Sequence, residues 1–187
     1  GLNDGIRGMV DRLAEEGFLA IAPDLYFGEV AKDDGRAAEL MNGMKTEVSV
    51  DIFAACTAWG KAHDRSSGKV AIMGFCMGGA MAFAASTHVK GLAAAVPFYG
   101  LPTATYLDAG AVGCPIQAHF AKTDDWAKPE KAEAFQKEVA AAGKSMELFV
   151  YDAGHAFMRA GDPTLFDATS AKMACVRATK FLHAHVG

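Results

Sequence analysis

The segment that most restricts the fold is Val70-Ala71-Ile72-Met73-Gly74-Phe75-Cys76-Met77-Gly78-Gly79. An apolar run of strand length is broken by Gly74, and small residues from about Met77 to Thr87 then read as a helix. The pattern is strand, G-x-C-x-G-G, helix. Glycines on either side let the helix and strand pack without a Cβ clash, so the chain can reverse direction sharply at Cys76. That turn lifts the cysteine above the sheet edge and sets it at a helix N-terminus. Backbone N–H groups and the helix dipole there favour a thiolate over a thiol. The N–H of Met77, the next residue, is placed to donate to an oxyanion.

The rest of the chain repeats the alternation. Ile6, Met9, Val10 and Leu13 recur at helical spacing before Gly17, and Phe18–Ala22 is a short apolar run ended by Pro23, expected to be a buried strand. Residues 27–45 are polar and read as a loop with a short helix. Val48, Ile52, Phe53, Cys56 and Trp59 mark a longer helix that closes near Ser66-Ser67-Gly68. Strands follow at Val70–Met73, Leu92–Val96, Ile116–Phe120 and Leu148–Tyr151, with helices at about Pro129–Ala142 and Thr164–His185. Five nearly all-apolar strands alternating with helices predict an α/β fold, its sheet mostly parallel and covered on both faces. Ligands of such sheets lie at the carboxyl ends of the strands.

Composition adds boundaries. The 187 residues are 51% hydrophobic and 21% charged, which suits one cored domain over 1–187 without repeats or linkers. With 22 acids against 18 bases and no Lys/Arg run, nucleic acid is not an expected partner. No apolar stretch is long enough for a membrane span. The four cysteines, at 56, 76, 114 and 175, have no metal or disulfide spacing. A reducing cytoplasm is therefore the expected location, and neither a metal nor a cofactor is called for.

A nucleophilic cysteine needs a base, and the base needs an orienting carboxylate. Tyr151-Asp152-Ala153-Gly154-His155-Ala156-Phe157 places His155 in a Gly-containing loop just past the last strand. His63, His88, His183 and His185 read as surface residues, and His119, inside a strand, as structural. The acid follows the preceding strand as Asp124 or Asp125. An N-cap with a solvated neighbour would look the same. The chain order nucleophile, acid, histidine, each after a successive strand, is nevertheless that of the α/β-hydrolase triad.

These motifs together resemble the dienelactone hydrolase (carboxymethylenebutenolidase) family across nearly the whole chain. Gly1-Leu2-Asn3 through Arg7 is similar to the family's G-[VL]-N-x-x-[IM]-R helix start, and Pro23-Asp24-Leu25-Tyr26 to its P-D-L-Y segment. Gly74–Gly79 matches its G-[FY]-C-x-G-G elbow and Gly154–Phe157 its G-H-x-F loop. The resemblance implies an α/β-hydrolase fold and a triad of Cys76, Asp124 or Asp125, and His155. Ala121 to Asp124 meets the family's G-x-x-D spacing with Ala in place of Gly, which favours Asp124, whereas the spacing to Pro129 fits Asp125. The implied substrate is a small ester or enol lactone, often carboxylate-bearing. Arg159, four residues after His155, stands where the family places an arginine for that carboxylate. Arg36 is a second candidate, and Tyr99 after the third expected strand suits an aromatic pocket wall. The resemblance also implies that the sequence is N-terminally short. About 40 upstream residues would carry further strands, the second oxyanion N–H and a glutamate that influences the cysteine.

Two other classes fit parts of the pattern. Glutamine amidotransfer also uses a G-x-C-x-G elbow, but its base normally reads H-x-E, whereas this chain has His155-Ala156-Phe157. Another cysteine-dependent acyl transferase or thioesterase, or a hydrolase-like binding domain without activity, would carry the same elbow.

Overall fold

The computed structural model describes residues 1–187, the side chain of residue 34 excepted. It begins with helices α1 (Asp4–Glu15), α2 (Asp34–Gly43) and α3 (Thr46–Ala62). Strand β1 (Ala71–Phe75) leads into α4 (Met77–His88), then β2 (Ala94–Phe98). Two short 3-10 turns, Ala104–Tyr106 and Ala109–Ala111, occupy the next loop. Strand β3 (Ile116–Thr123), α5 (Pro129–Ala141), β4 (Met146–Gly154) and α6 (Ala168–Val186) complete the chain. The four strands lie in the order β1-β2-β3-β4, all parallel.

Parallel neighbours need crossover connections, and the helices that supply them cover the sheet. On one face Ile116, Ala118 and Phe120 of β3 pack with Phe83 of α4 and Phe135 and Val139 of α5, and α3 adds Val50 and Phe53. On the other face Ala121 of β3 joins Val96, Phe98 and Tyr151 beneath Ala171, Ala174, Ala178 and Leu182 of α6. The strict alternation along β3 is the two-residue period of a strand buried on both sides.

One expected strand is not there. Among the described residues Phe18–Ala22 forms neither strand nor helix and is no part of the sheet. Leu19 and Ile21 of that run face solvent, and the Phe18 N–H donates instead to the Leu13 carbonyl, closing α1. An apolar run becomes a strand only when a neighbour completes its ladder. The sheet therefore has four strands where five were expected. Helix α6 also starts four residues later than Thr164. Asp167 caps it by accepting from the Ser170 N–H at 2.7 Å, while Asp162 holds Thr164 in the preceding turn. Among the described residues no helix is long and apolar enough to cross a membrane.

Candidate active site

The carboxyl ends of the four strands converge on one place. Cys76 follows β1, Tyr99 follows β2, and Asp124 and His155 follow β3 and β4. At the elbow Cys76 has φ +53° and ψ −113°, a conformation that L-residues rarely adopt and that costs about 1–3 kcal/mol. It persists because both its peptide groups are tied down. The Cys76 N–H donates to the Phe98 carbonyl at 3.0 Å, and its own carbonyl accepts from the Ala80 N–H at 3.0 Å. The glycines are required by contact. A Cβ on Gly74 would run into the Gly78 carbonyl, and one on Gly79 into the Phe98 carbonyl. Met77 opens α4, so its N–H is one of the first-turn amides with no partner inside the helix.

His155 bridges the cysteine and the acid. Its Nε2 lies 3.1 Å from Cys76 Sγ and its Nδ1 lies 2.7 Å from Asp124 Oδ2. An ionised carboxylate only accepts, so Nδ1 carries a proton and Nε2 faces the sulfur. The Asp124 side chain is completely buried. Its other oxygen accepts from the backbone N–H groups of Trp126 and Ala127, each at 2.9 Å. Burial works against a protonated His155, but hydrogen bonds to Cys76 and Asp124 and the charges of both outweigh it, raising the imidazole to about 9. Asp125 is exposed and takes no part in this chain of contacts. Of the two adjacent acids, Asp124 is the one that meets the histidine.

The loop that carries His155 is anchored from below. Ala156 has φ +62°, Arg159 N–H donates to the Ala156 carbonyl at 2.8 Å, and Asp167 N–H donates to the Phe157 carbonyl at 3.1 Å. Phe157 is fully buried, its ring centroid 5.2 Å from Tyr99 and 5.1 Å from Tyr151. Tyr99 is itself buried, edge-on to the His155 ring at 5.2 Å, with its hydroxyl at the Met158 backbone. Burial and then the nearby Cys76 push that phenol well above its ordinary value. Tyr99 thus underlies the His155 loop and is not placed as an open pocket wall.

The two arginines are placed differently. Arg159 is exposed in the turn that follows His155. Arg36 on α2 has its guanidinium engaged, with Nε and Nη2 on the two carboxylate oxygens of Glu29 at 2.5 and 2.8 Å and Nη1 on Glu39 at 2.7 Å. Three of the five guanidinium N–H donors of Arg36 are thus engaged by Glu29 and Glu39.

Sequence reasoning passed over two neighbours of the site. The Tyr26 hydroxyl lies 3.1 Å from Met77 Sδ, and burial followed by the proximity of Cys76 raises its phenol. Asp24 holds that turn by accepting from the Tyr26 and Gly28 N–H groups at 3.0 and 2.5 Å. Trp126 lies against His155, ring centroids 5.9 Å apart. Its position two residues after Asp124 was the available signal. A cavity of about 590 Å³ opens elsewhere, between α1, α6 and β1, lined by Leu13, Phe75, Phe98 and Cys175. None of Cys76, Asp124 and His155 borders it.

A nucleophile elbow on a parallel sheet, with an acid and a histidine at the ends of the following strands, defines an α/β-hydrolase. A Pyrococcus furiosus esterase shares that fold at a TM-score of 0.68 over 97% of this chain and 77% of its own, at 18% identity. The family model of the dienelactone hydrolase family matches residues 1–186, and the chain belongs to that family of ester and lactone hydrolases. A protein from Aquifex aeolicus, named provisionally as a carboxymethylenebutenolidase, is 32% identical over 97% of this chain and 81% of its own length. A Yersinia pestis protein of the same provisional name is 34% identical over 84% of this chain and 64% of its own. The crystal structure of a provisionally assigned dienelactone hydrolase from Klebsiella pneumoniae superposes at a TM-score of 0.85. It is 27% identical, over 96% of this chain and 81% of that one.

Proposed function

We propose that this chain hydrolyses a small ester or lactone through a Cys76–His155–Asp124 triad and an acyl-enzyme, without a cofactor. The observation that carries the reading is His155, which stands within hydrogen-bond reach of a cysteine sulfur on one side and a buried carboxylate on the other. His155 Nε2 takes the Cys76 proton, and the sulfur attacks the carbonyl carbon. Met77 N–H donates to the developing oxyanion. The S–C bond forms, the bond from carbon to the leaving oxygen breaks, and His155 returns the proton to that oxygen. Water, deprotonated by the same nitrogen, then releases the acid and restores the thiol. Asp124 keeps Nδ1 protonated, so that Nε2 is the nitrogen facing sulfur, and stabilises the imidazolium between the two proton transfers.

A dienelactone-like enol lactone fits this chemistry, because its ring oxygen leaves as a stabilised enolate. Arg159, exposed in the turn four residues after His155, is the residue we assign to a carboxylate on such a substrate. The reading is tested by Cys76→Ala with p-nitrophenyl acetate and an enol lactone as substrates. Hydrolysis falls to the background rate if Cys76 is the nucleophile, and turnover near that of the wild type overturns the mechanism.

A further inference from the structure

Trp126 is 76% exposed, and among the described residues only Phe27 is a more exposed large apolar side chain. Exposing an indole forgoes the gain from burying one of the largest apolar surfaces a side chain offers. Packing therefore does not account for its position, but the site does. The Asp124 oxygen that accepts from Trp126 N–H belongs to the same carboxylate that holds His155. One buried side chain thus fixes both the base and the start of the tryptophan. The indole lies 5.9 Å from the His155 ring at an interplanar angle of 31°, on the histidine whose Nε2 faces Cys76 Sγ. Its remaining surface is open.

From this placement we infer that Trp126 is a specificity residue, forming the floor of a leaving-group subsite that takes a planar aryl or enol oxygen substituent. The inference rests on the triad reading above. In that reaction the leaving oxygen must come to His155 Nε2 to be protonated, which brings its substituent alongside the ring next to His155. A planar substituent can lie on the indole face there, in the offset or tilted arrangements that aromatic pairs favour. Trp126 takes no part in bond making. It rewards one shape of leaving group over another.

The test compares Trp126→Ala and Trp126→Phe with wild type on two esters of one acyl group, p-nitrophenyl acetate and trifluoroethyl acetate. Because the acyl group is shared, the variant-to-wild-type ratio on each ester cancels the intrinsic reactivity of the leaving group. Trp126→Ala is expected to lose roughly 3- to 10-fold more kcat/KM on the aryl ester than on the alkyl ester, the size of one aromatic contact. Trp126→Phe is expected to recover most of the difference. Equal losses on both esters would mean that Trp126 acts only by steadying His155, and no loss on either would mean that it faces nothing. Both results overturn the inference. A second arm needs no catalysis: in a Cys76→Ala, Trp59→Phe protein, Trp126 is the sole indole and reports phenyl acetate binding by fluorescence. A saturable change with phenyl acetate and none with ethyl acetate supports the subsite even if Cys76 proves not to be the nucleophile. No change with either ester overturns it.

Discussion

Asp124 allows structural and catalytic roles to be separated with two substitutions. Its side chain is wholly buried and makes three contacts, two to backbone N–H groups through Oδ1 and one to His155 through Oδ2. In Asp124→Ala all three are lost. The Ala127 N–H is buried and costs about 1–3 kcal/mol when orphaned, and the partly buried Trp126 N–H adds about 1 kcal/mol. The expected loss is about 2–4 kcal/mol, or roughly 4–16 °C in Tm for a domain of this size. Asp124→Asn retains an amide oxygen for both N–H groups and is expected to lose only about 1 kcal/mol. Both variants remove the carboxylate from His155 Nδ1. In the asparagine variant an NH2 faces that nitrogen, which drives the ring to the tautomer with the proton on Nε2, unable to accept from sulfur. Turnover should fall roughly 10⁴-fold in that variant, and the His155 titration should move down from about 9. Urea unfolding gives the first quantity, ester hydrolysis the second and imidazole NMR the third. Equal destabilisation by Asn and Ala would refute the assignment of the two backbone bonds. Wild-type turnover in Asp124→Asn would refute the orienting role.

Two further predictions follow from the scaffold. His119 is fully buried between Tyr151, whose hydroxyl is 2.8 Å from Nδ1, and Gln117, whose Oε1 is 3.2 Å from Nε2. Burial, then the charge of Arg177, lowers it from 6.5 to about 3. Below 6.5 the unfolded chain binds a proton that the folded one refuses, so stability is complete above 6.5 and falls as pH drops toward 3. The His119 contribution has a slope approaching about 1.4 kcal/mol per pH unit. Urea midpoints across that window should show a shallower decline in His119→Gln, and an identical decline would refute the assignment. At the elbow, Gly74→Ala sets a Cβ against the backbone of Gly78 and should cost about 1–3 kcal/mol and most of the activity. A Cβ on Gly78 itself meets nothing within 4 Å, so Gly78→Ala should fold as stably as wild type in the same melt.

Much of this arrangement was legible in the sequence, for specific reasons. The β1–α4 elbow showed because glycine is the only residue that fits at Gly74 and Gly79, which leaves a motif in the chain. The strands beginning at Ala94 and Ile116 were recognisable because burial along nearly their whole length removes charged residues. Those at Ala71 and Met146 showed because each holds a short apolar run, although Glu147, Val150 and Asp152 of the latter are exposed. Phe18–Ala22 has the same composition and forms no strand, since pairing is a property of neighbours and not of the run itself. Between Asp124 and Asp125 the spacing from Ala121 favoured the first and the spacing to Pro129 fitted the second, because local spacing does not say which side chain points inward. Only the fold turns one inward to Ala127 and His155. Arg36 and Tyr99 have the right chemistry for a pocket, but the ion pairs of the first with Glu29 and Glu39 and the covering of the second by the His155 loop are contacts that no local spacing encodes.

The central claim is that Cys76 becomes acylated and that His155 drives it. Intact-mass and peptide mapping of protein quenched during turnover of p-nitrophenyl acetate tests this directly. The account predicts one acetyl group, on the peptide containing Cys76, absent from Cys76→Ala and much slower to appear in His155→Ala. Acetylation spread over Cys56, Cys114 and Cys175 as well, or at Cys76 at the same rate without His155, would contradict it.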